Sequence, residues 1–166
     1  EIYPDPRGGE VTGMCQVQDG LLVFTENTTF IVVSSFGGKG FQTRTLHPTI
    51  GCVAPSSIKT MPDGTAVWLG REGFYAATGS GDSLGVKIIS ESISTNLLKI
   101  NRARALQSTA AVDVREKKYR CWTPMEGSKT NNVCWEFDGQ GWTATICSLR
   151  EKRRLAGDQQ PREFGF

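Results

Sequence analysis

Apolar and polar residues alternate along this chain in short blocks that predict β-hairpins. The first hairpin has a turn at Asp19-Gly20, apolar residues 21–24, a polar segment, and apolar residues 30–33. Asp-Gly is a strong turn signal because glycine adopts positive φ without steric cost. Apolar runs of about four or five residues rich in β-formers are too short for helices and favour strands.

The same order recurs at Asp63-Gly64, with apolar residues 65–69 and 74–77 around a second polar turn. Four identical pairs lie 44 positions apart: Asp19 and Asp63, Gly20 and Gly64, Val23 and Val67, and Phe30 and Phe74. A period of about 40–50 residues is typical of β-propeller blades. Strands that are apolar on both faces also need cover on both faces, which neighbouring blades provide. The alternative is a coincidence between two hairpins of another all-β fold.

Two more degenerate units follow. They contain four more strand-like segments, in which apolar and polar residues mostly alternate, and this pattern predicts half-exposed sheet positions. The segments are residues 110–114, 119–122, 133–137 and 142–146. The fold class is therefore predicted as all-β: a partial or multi-chain-completed β-propeller of antiparallel blades with one short helix. Residues 1–148 form the propeller-like domain, of about three to four blade units, and residues 149–166 form a basic C-terminal tail.

One short helix is predicted between the second and third units. Its apolar positions are Ile93, Leu97, Leu98 and Ile100. Ser90 or Ser92 is a candidate N-cap and Asn101 a candidate stop. We expect this helix to pack its apolar stripe on the sheets as a connector.

About three and a half such units do not close a ring, because propellers usually have four or more blades. The sequence also opens at Glu1 without an initiator methionine. We therefore expect a fragment, a cleaved product, or a protomer that other chains complete, since unpaired sheet edges tend to find partners.

Charge is nearly balanced, with 19 basic and 17 acidic residues, which does not indicate a dedicated DNA-binding domain. Basic residues cluster late in the chain, at Arg150, Lys152, Arg153 and Arg154. This cluster is either a solvated tail or a candidate contact with DNA phosphates or with another subunit. No aromatic residues interleave with it, so stacking on single-stranded nucleic acid is not predicted.

The five cysteines are an odd number and include no Cys-x-x-Cys pair, which favours small buried hydrophobes in a reducing compartment. Cys15, Cys121 and Cys134 are predicted to be buried free thiols. His47 is the single histidine, so we expect no metal near it. No cofactor is predicted.

No catalytic motif stands out. The chain has no phosphate-binding loop ending in Gly-Lys-Ser or Gly-Lys-Thr. Residues 81–85 match the Gly-x-Ser-x-Gly spacing, but a nucleophile elbow leads from a strand into a helix, and the segment that follows reads as a strand. The glycine-rich residues 79–85 precede a strand-like segment, where a dinucleotide loop needs a helix, so they predict a turn. Asp19 and Asp63 are best explained as turn formers. Carboxylate pairs near a propeller axis can hydrolyse glycosides, which leaves a propeller-type glycoside hydrolase as the enzyme alternative.

Several segments, read in order, resemble a known family. They are residues 9–13, 19–26, 30–32, 51–57, 63–64, 68–75 and 89–93. This order resembles the propeller region of tail proteins from double-stranded DNA bacteriophages, in particular the nozzle, or tail tubular, proteins. The resemblance covers roughly residues 9–142, and its most specific stretches are residues 51–56 and 69–75.

The resemblance implies a structural virion protein of the phage tail, assembled in the host cytoplasm, and not an enzyme. Such proteins form rings, commonly sixfold, around the channel through which DNA leaves the capsid. The implied partners are copies of itself, other tail proteins (adaptor, fibre or tube) and, transiently, the passing DNA, with no membrane. The competing class is a cellular β-propeller that serves as a protein-interaction module, which should be a closed monomer.

Overall fold

The computed structural model describes residues 9–35 and 40–147, and antiparallel β-strands dominate them. The twelve strands of these residues form three sheets of four. Sheet 1 contains β1 (Val11–Val17), β2 (Gly20–Thr25), β3 (Thr29–Ser34) and β4 (Phe41–His47). Sheet 2 contains β5 (Lys59–Thr60), β6 (Ala66–Leu69), β7 (Phe74–Thr78) and β8 (Gly85–Ile88). Sheet 3 contains β9 (Thr109–Asp113), β10 (Lys118–Thr123), β11 (Val133–Phe137) and β12 (Trp142–Ile146).

Each sheet is a meander, in which every strand pairs with the strand next to it in the chain. Both hairpins predicted from the sequence are confirmed. In the first, Leu22 pairs with Ile31, and in the second, Val67 pairs with Ala76. The all-β class is therefore correct, and the sheets follow the chain without crossovers.

The repeat in the structure is 45 residues long, one more than the sequence identities indicate. Leu22 and Val67 occupy the same pairing position, and so do their partners. The Asp-Gly turns differ by one residue because the loop before β6 is longer than the two-residue turn before β2. A one-residue shift reverses the face of a strand. Val23 is thus equivalent to Trp68, and its match with Val67 is not structural.

The three sheets share two hydrophobic clusters. The cluster between sheets 1 and 2 includes Phe24 and Trp68, whose ring centroids lie 4.8 Å apart. The cluster between sheets 2 and 3 includes Leu69 and Trp135. All of β6 is fully buried because sheet 2 is covered on both faces, by sheet 1 and by sheet 3. The strands at residues 21–24 and 30–33, which are apolar on both faces, lie in sheet 1 and pack on sheet 2 through Leu22, Phe24 and Ile31.

Sheet 3 alternates along its strands, as the sequence predicted. Tyr119 and Cys121 on β10 are buried against sheet 2, whereas Arg120 and Trp122 between them are partly exposed. One face of sheet 3 thus joins the core, and the other is partly exposed and carries Arg120 beside Trp122.

The predicted helix is shorter than its sequence pattern. A 3-10 turn at Glu91–Ile93 leads into a single helical turn, α1 (Ser94–Leu97), and a second 3-10 segment spans Arg102–Gln107. Leu97 and Ile100 are buried between sheets 2 and 3, as expected of a connector. Ser90 occupies the N-cap position of the first 3-10 turn, as predicted, but its side chain makes no capping hydrogen bond. Its hydroxyl instead accepts a hydrogen bond from the backbone N–H of Phe74, at 2.9 Å.

Candidate functional site

The sequence-based candidate site, Arg150, Lys152, Arg153 and Arg154, lies outside the residues that the structure describes. The boundary between the domain and its basic tail lies there too. Both stay predictions. The described residues offer a different candidate, at the end of the sheets where the hairpin turns of sheets 1 and 2 meet.

The turns at residues 25–28 and 70–73 lie side by side and are joined by an ion pair. Arg71 Nη2 donates to Glu26 Oε1 at 2.6 Å. Both side chains are more than half exposed, so the pair contributes little to stability. Its main effect is to divide the surface between the turns into two cavities.

The first cavity measures about 530 Å³ and is lined by Arg71 and Arg102 together with Cys52 and the apolar side of the 3-10 segment. Partial burial lowers the pKa of Arg102 from its usual value. The second cavity, of about 340 Å³, is lined by Tyr75 and His47. Each cavity mixes charged and apolar lining, which suits a side chain or loop of a protein neighbour.

The cavities hold two side chains of nucleophilic type, Cys52 in the first and Thr49 in the second. Burial raises the pKa of the Cys52 thiol to about 12, so it stays protonated. His47 lies at the end of β4, where its Nδ1 accepts a hydrogen bond from the Thr49 N–H at 3.3 Å. The Thr49 hydroxyl lies 3.5 Å from the same nitrogen, so both contacts belong to one exposed local turn.

The connector between sheets 1 and 2, residues 48–58, packs against the turn at residues 25–28 and against β6. Cys52 N–H donates to Thr25 O at 2.9 Å, and the Trp68 indole N–H donates to Gly51 O at 3.0 Å. A side chain at Gly51 is excluded because its Cβ would lie 2.3 Å from Thr25 O. The Gly-Cys-Val segment that the sequence analysis singled out is therefore a packing element.

The same connector reaches sheet 3. Ser57 Oγ donates to Ala54 O at 2.6 Å and accepts from Leu69 N–H at 2.9 Å. The Tyr119 hydroxyl donates to Ser57 O at 2.8 Å, from full burial. Desolvation raises the pKa of Tyr119 well above its usual value, so the hydroxyl remains a donor. One connector thus ties all three sheets together.

The connector between sheets 2 and 3, residues 89–108, likewise makes hydrogen bonds with strands of both sheets. The Trp142 indole N–H donates to Ile89 O at 2.7 Å, and Ser90 contacts the start of β7. Gly73 packs closely there: a Cβ would lie 2.4 Å from Ser90 Oγ, so any side chain at this position would displace the Ser90 hydroxyl. Sequence reasoning missed these ties, since no local pattern marks a serine or tryptophan that bonds across sheets.

A charged network on the outer face of sheet 3 was also missed. Arg120 contacts Glu136 at 2.6 Å, Glu116 at 2.7 Å and Asp113 at 3.1 Å. The pKa of Glu136 is lowered, first by Lys118 and then by Arg120. The pKa of Asp113 is also lowered, first by the backbone N–H of Glu116. A glycosidase acid needs a raised pKa, so Glu136 and Asp113 are shifted the wrong way for that role.

At the opposite end of the sheets, the carboxylates of Asp63 and Asp19 accept hydrogen bonds from backbone N–H groups of turns and loops. Asp63 Oδ1 accepts from Thr65 N–H at 2.9 Å, a turn contact as predicted. Asp19 instead reaches across to sheet 2 and accepts from Gly81 N–H at 2.8 Å. The glycine-rich segment forms a 3-10 turn at Gly81–Ser83 and then β8, so the prediction of a turn is confirmed.

All five cysteines are free thiols. Cys121 is buried as predicted, whereas Cys15 and Cys134 are only partly buried. Cys15 lies on β1, an edge strand of sheet 1, and Cys134 pairs with Trp122 on the outer face of sheet 3. Burial raises the pKa of Cys121 to about 12 and that of Cys15 to about 11. Among the described residues, no three His, Cys, Asp or Glu side chains group as metal ligands do.

The comparisons with known proteins give no family: no family model matches the chain, and a search of curated proteins finds no match. Within the described part of the chain, no helix is long and apolar enough to cross a membrane.

Proposed function

We propose that this chain is a structural protein of a double-stranded DNA phage tail, of the nozzle or tail tubular type. In this proposal the three sheets are consecutive blades of a β-propeller, completed by further blades of the same or another chain. The family resemblance of residues 9–142 motivates the proposal, and the all-β meander architecture supports it.

The observation that carries the proposal is the way the connectors tie the sheets. The contacts of Tyr119 with Ser57 and of Asp19 with Gly81 span 62 residues each and join different sheets. The Tyr119 bond is buried, so breaking it leaves a desolvated polar group unpaired, which resists sliding of sheet 3. The Asp19 bond is solvent-exposed and adds a weaker restraint between sheets 1 and 2. A rigid wall or docking platform needs this property.

A structural role also accounts for the chemistry of the described residues. The buried thiols are protonated, the carboxylates around Arg120 are neutralised, and His47 is engaged in a local turn. We therefore propose that the protein is not an enzyme. In this proposal its partners are copies of itself in a ring, adjoining tail proteins and, transiently, the DNA that passes through the channel. Its location is the virion.

Electron microscopy of the purified protein tests this proposal. Two-dimensional class averages, with and without linear double-stranded DNA, should show rings with a central channel, sixfold if the resemblance extends to subunit number. Closed, compact monomers at every concentration would favour the interaction-module alternative and contradict the ring. Hydrolysis of glycosidic substrates would contradict the non-enzymatic assignment.

A further inference from the structure

The first cavity, of about 530 Å³, brings together two arginines from different parts of the chain. Arg71 comes from the turn of sheet 2, and Arg102 comes from the 3-10 segment in the connector to sheet 3. A volume between about 300 and 1,000 Å³ is typical of pockets that receive a ligand or a side chain. Most of the other lining residues are apolar, among them Cys52, Val53, Ala105 and Leu106.

Arg102 has unused hydrogen-bonding capacity in this cavity. Within the described part of the chain it forms no ion pair, and its one hydrogen bond is long, from Nη2 to Leu97 O at 3.4 Å. Partial burial lowers the pKa of Arg102, whereas Tyr75 and the carboxylate of Glu72, which does not contact it, act in the opposite direction. A cation that has lost part of its water and lacks a carboxylate in contact gains from a bound anion.

Arg71 shows how a carboxylate is held at the same place. Its Nη2 donates to Glu26 Oε1 at 2.6 Å, and this is its one hydrogen bond within the described residues. A guanidinium carries five N–H donors in a planar fork, so the remaining donors of Arg71 can serve a second carboxylate. The exposed pair with Glu26 also contributes little to stability, so a rearrangement of Glu26 costs little.

The apolar part of the lining narrows the kind of anion that fits. The Leu106 side chain is 70% exposed, and Val53 and Ala105 line the same cavity. A carboxylate with an apolar neighbour would bind the guanidiniums and take this apolar surface out of water. A nucleic-acid phosphate would use the guanidiniums alone, and binding through phosphates usually needs more cations than two.

We propose that the first cavity is the docking site for an acidic segment of a partner protein. In this contact an Asp or Glu side chain of the partner binds Arg71 and Arg102, and an adjacent apolar side chain covers Leu106. The proposal rests on the docking role proposed above but not on ring formation. Each single contact is weak, and repetition in an assembly strengthens it through effective concentration.

Titration of the complete chain with a probe peptide, followed by nuclear magnetic resonance, tests the proposal. The probe is acetyl-Leu-Asp-Leu amide, and the matched control is acetyl-Leu-Asn-Leu amide, which has the same shape without the charge. We expect a dissociation constant in the millimolar range for the acidic peptide, with shifts at residues 71, 102 and 106. The neutral peptide should bind roughly tenfold more weakly, because hydrogen bonds between charged groups are the stronger ones.

Two pairs of variants separate the charged and the apolar part of the contact. Arg102→Gln should weaken binding of the acidic peptide roughly tenfold. Arg104→Gln removes a cation from the same 3-10 segment that does not line the cavity, and should bind like the wild type. Leu106→Asn should weaken binding severalfold, whereas Leu98→Asn, at a leucine that is 77% exposed outside the cavity, should not.

Three outcomes would overturn the proposal. Equal losses for Arg102→Gln and Arg104→Gln would indicate attraction by overall charge. Inorganic phosphate that shifts the same residues with the affinity of the acidic peptide would indicate a general anion site. An acidic peptide that causes no shift up to about 20 mM, well above the expected millimolar constant, would show that the cavity does not bind it. The electron microscopy of rings is a separate experiment, so failure here and failure of the tail proposal are distinguishable.

Discussion

Gly81 in sheet 2 donates its backbone N–H to the carboxylate of Asp19 in sheet 1, at 2.8 Å. Arg44, also in sheet 1, donates to the carbonyl oxygen of the same glycine at 3.0 Å. Sheet 1 thus holds both backbone polar groups of one residue, Gly81, in a loop of sheet 2. These contacts clamp the two sheets at the end opposite the Glu26–Arg71 pair.

Replacing Asp19 with Ala should lower the free energy of unfolding by about 1 kcal/mol, because a charge-assisted hydrogen bond is lost in a solvent-exposed place. Urea denaturation measures the change. Asp82→Ala in the same loop is the matched control and should change stability by less than about 0.5 kcal/mol. Equal losses for both variants would show that the contact does not clamp the sheets.

Replacing Tyr119 with Phe should cost roughly 1–2 kcal/mol, because the buried Ser57 carbonyl loses its donor. Tyr75→Phe is the control, since Tyr75 is also buried but its hydroxyl makes no hydrogen bond within the described residues. Thermal and urea unfolding of both variants measure the difference. A loss in the control as large as that in Tyr119→Phe would contradict the role of this bond.

Replacing Gly51 with Ala should destabilise the fold by roughly 2 kcal/mol or more, because the new Cβ would collide with backbone atoms of residues 25–27. Gly141→Ala is the control: its Cβ meets nothing within 4 Å. Differential scanning calorimetry should show a large drop in melting temperature only for Gly51→Ala. A stable Gly51→Ala protein would mean that the connector can move away from the turn.

The sequence predicts the hairpins well because turn chemistry and strand polarity are local properties. It misplaces the repeat by one residue, since Val23 and Val67 are identical by chance while the loop before β6 is one residue longer. Only pairing partners in the structure reveal that shift.

The helix and the candidate site were harder to predict, because long-range contacts decide them. Ser90 has the residue type of a helix cap, yet its hydroxyl bonds to β7, and the helix behind it shrinks to one turn. Arg120 gives no signal in sequence, because its carboxylate partners come from two other parts of sheet 3.

Alkaline pH should unfold the protein through its buried thiols. The pKa of both Cys52 and Cys121 is raised from 9.0 to about 12 by burial. Between these values the unfolded chain loses protons that the folded chain retains, so stability is intact below pH 9 and falls as the pH rises towards 12. Each thiol should contribute a slope of about 1.4 kcal/mol per pH unit.

Urea midpoints measured from pH 8 to pH 11 test this dependence, and the variant Cys121→Ala should show a shallower slope than the wild type. A variant slope equal to that of the wild type would show that other groups cause the alkaline loss.

The basic tail provides the most direct test of the tail proposal. Replacing Arg150, Lys152, Arg153 and Arg154 with Ala should reduce assembly into tails, DNA delivery, or both, because each cation that contacts a phosphate releases a counterion and strengthens binding at low salt. If the contact is with a neighbouring subunit, charge-assisted bonds to its carboxylates are lost instead. A reduced particle yield would indicate a lost subunit contact, whereas reduced infectivity at normal yield would indicate a lost DNA contact. The control replaces Arg115 and Lys117, two exposed cations in the turn between β9 and β10, and should leave both readings unchanged. Unchanged yield and infectivity in the fourfold variant would identify the cluster as ordinary solvated surface.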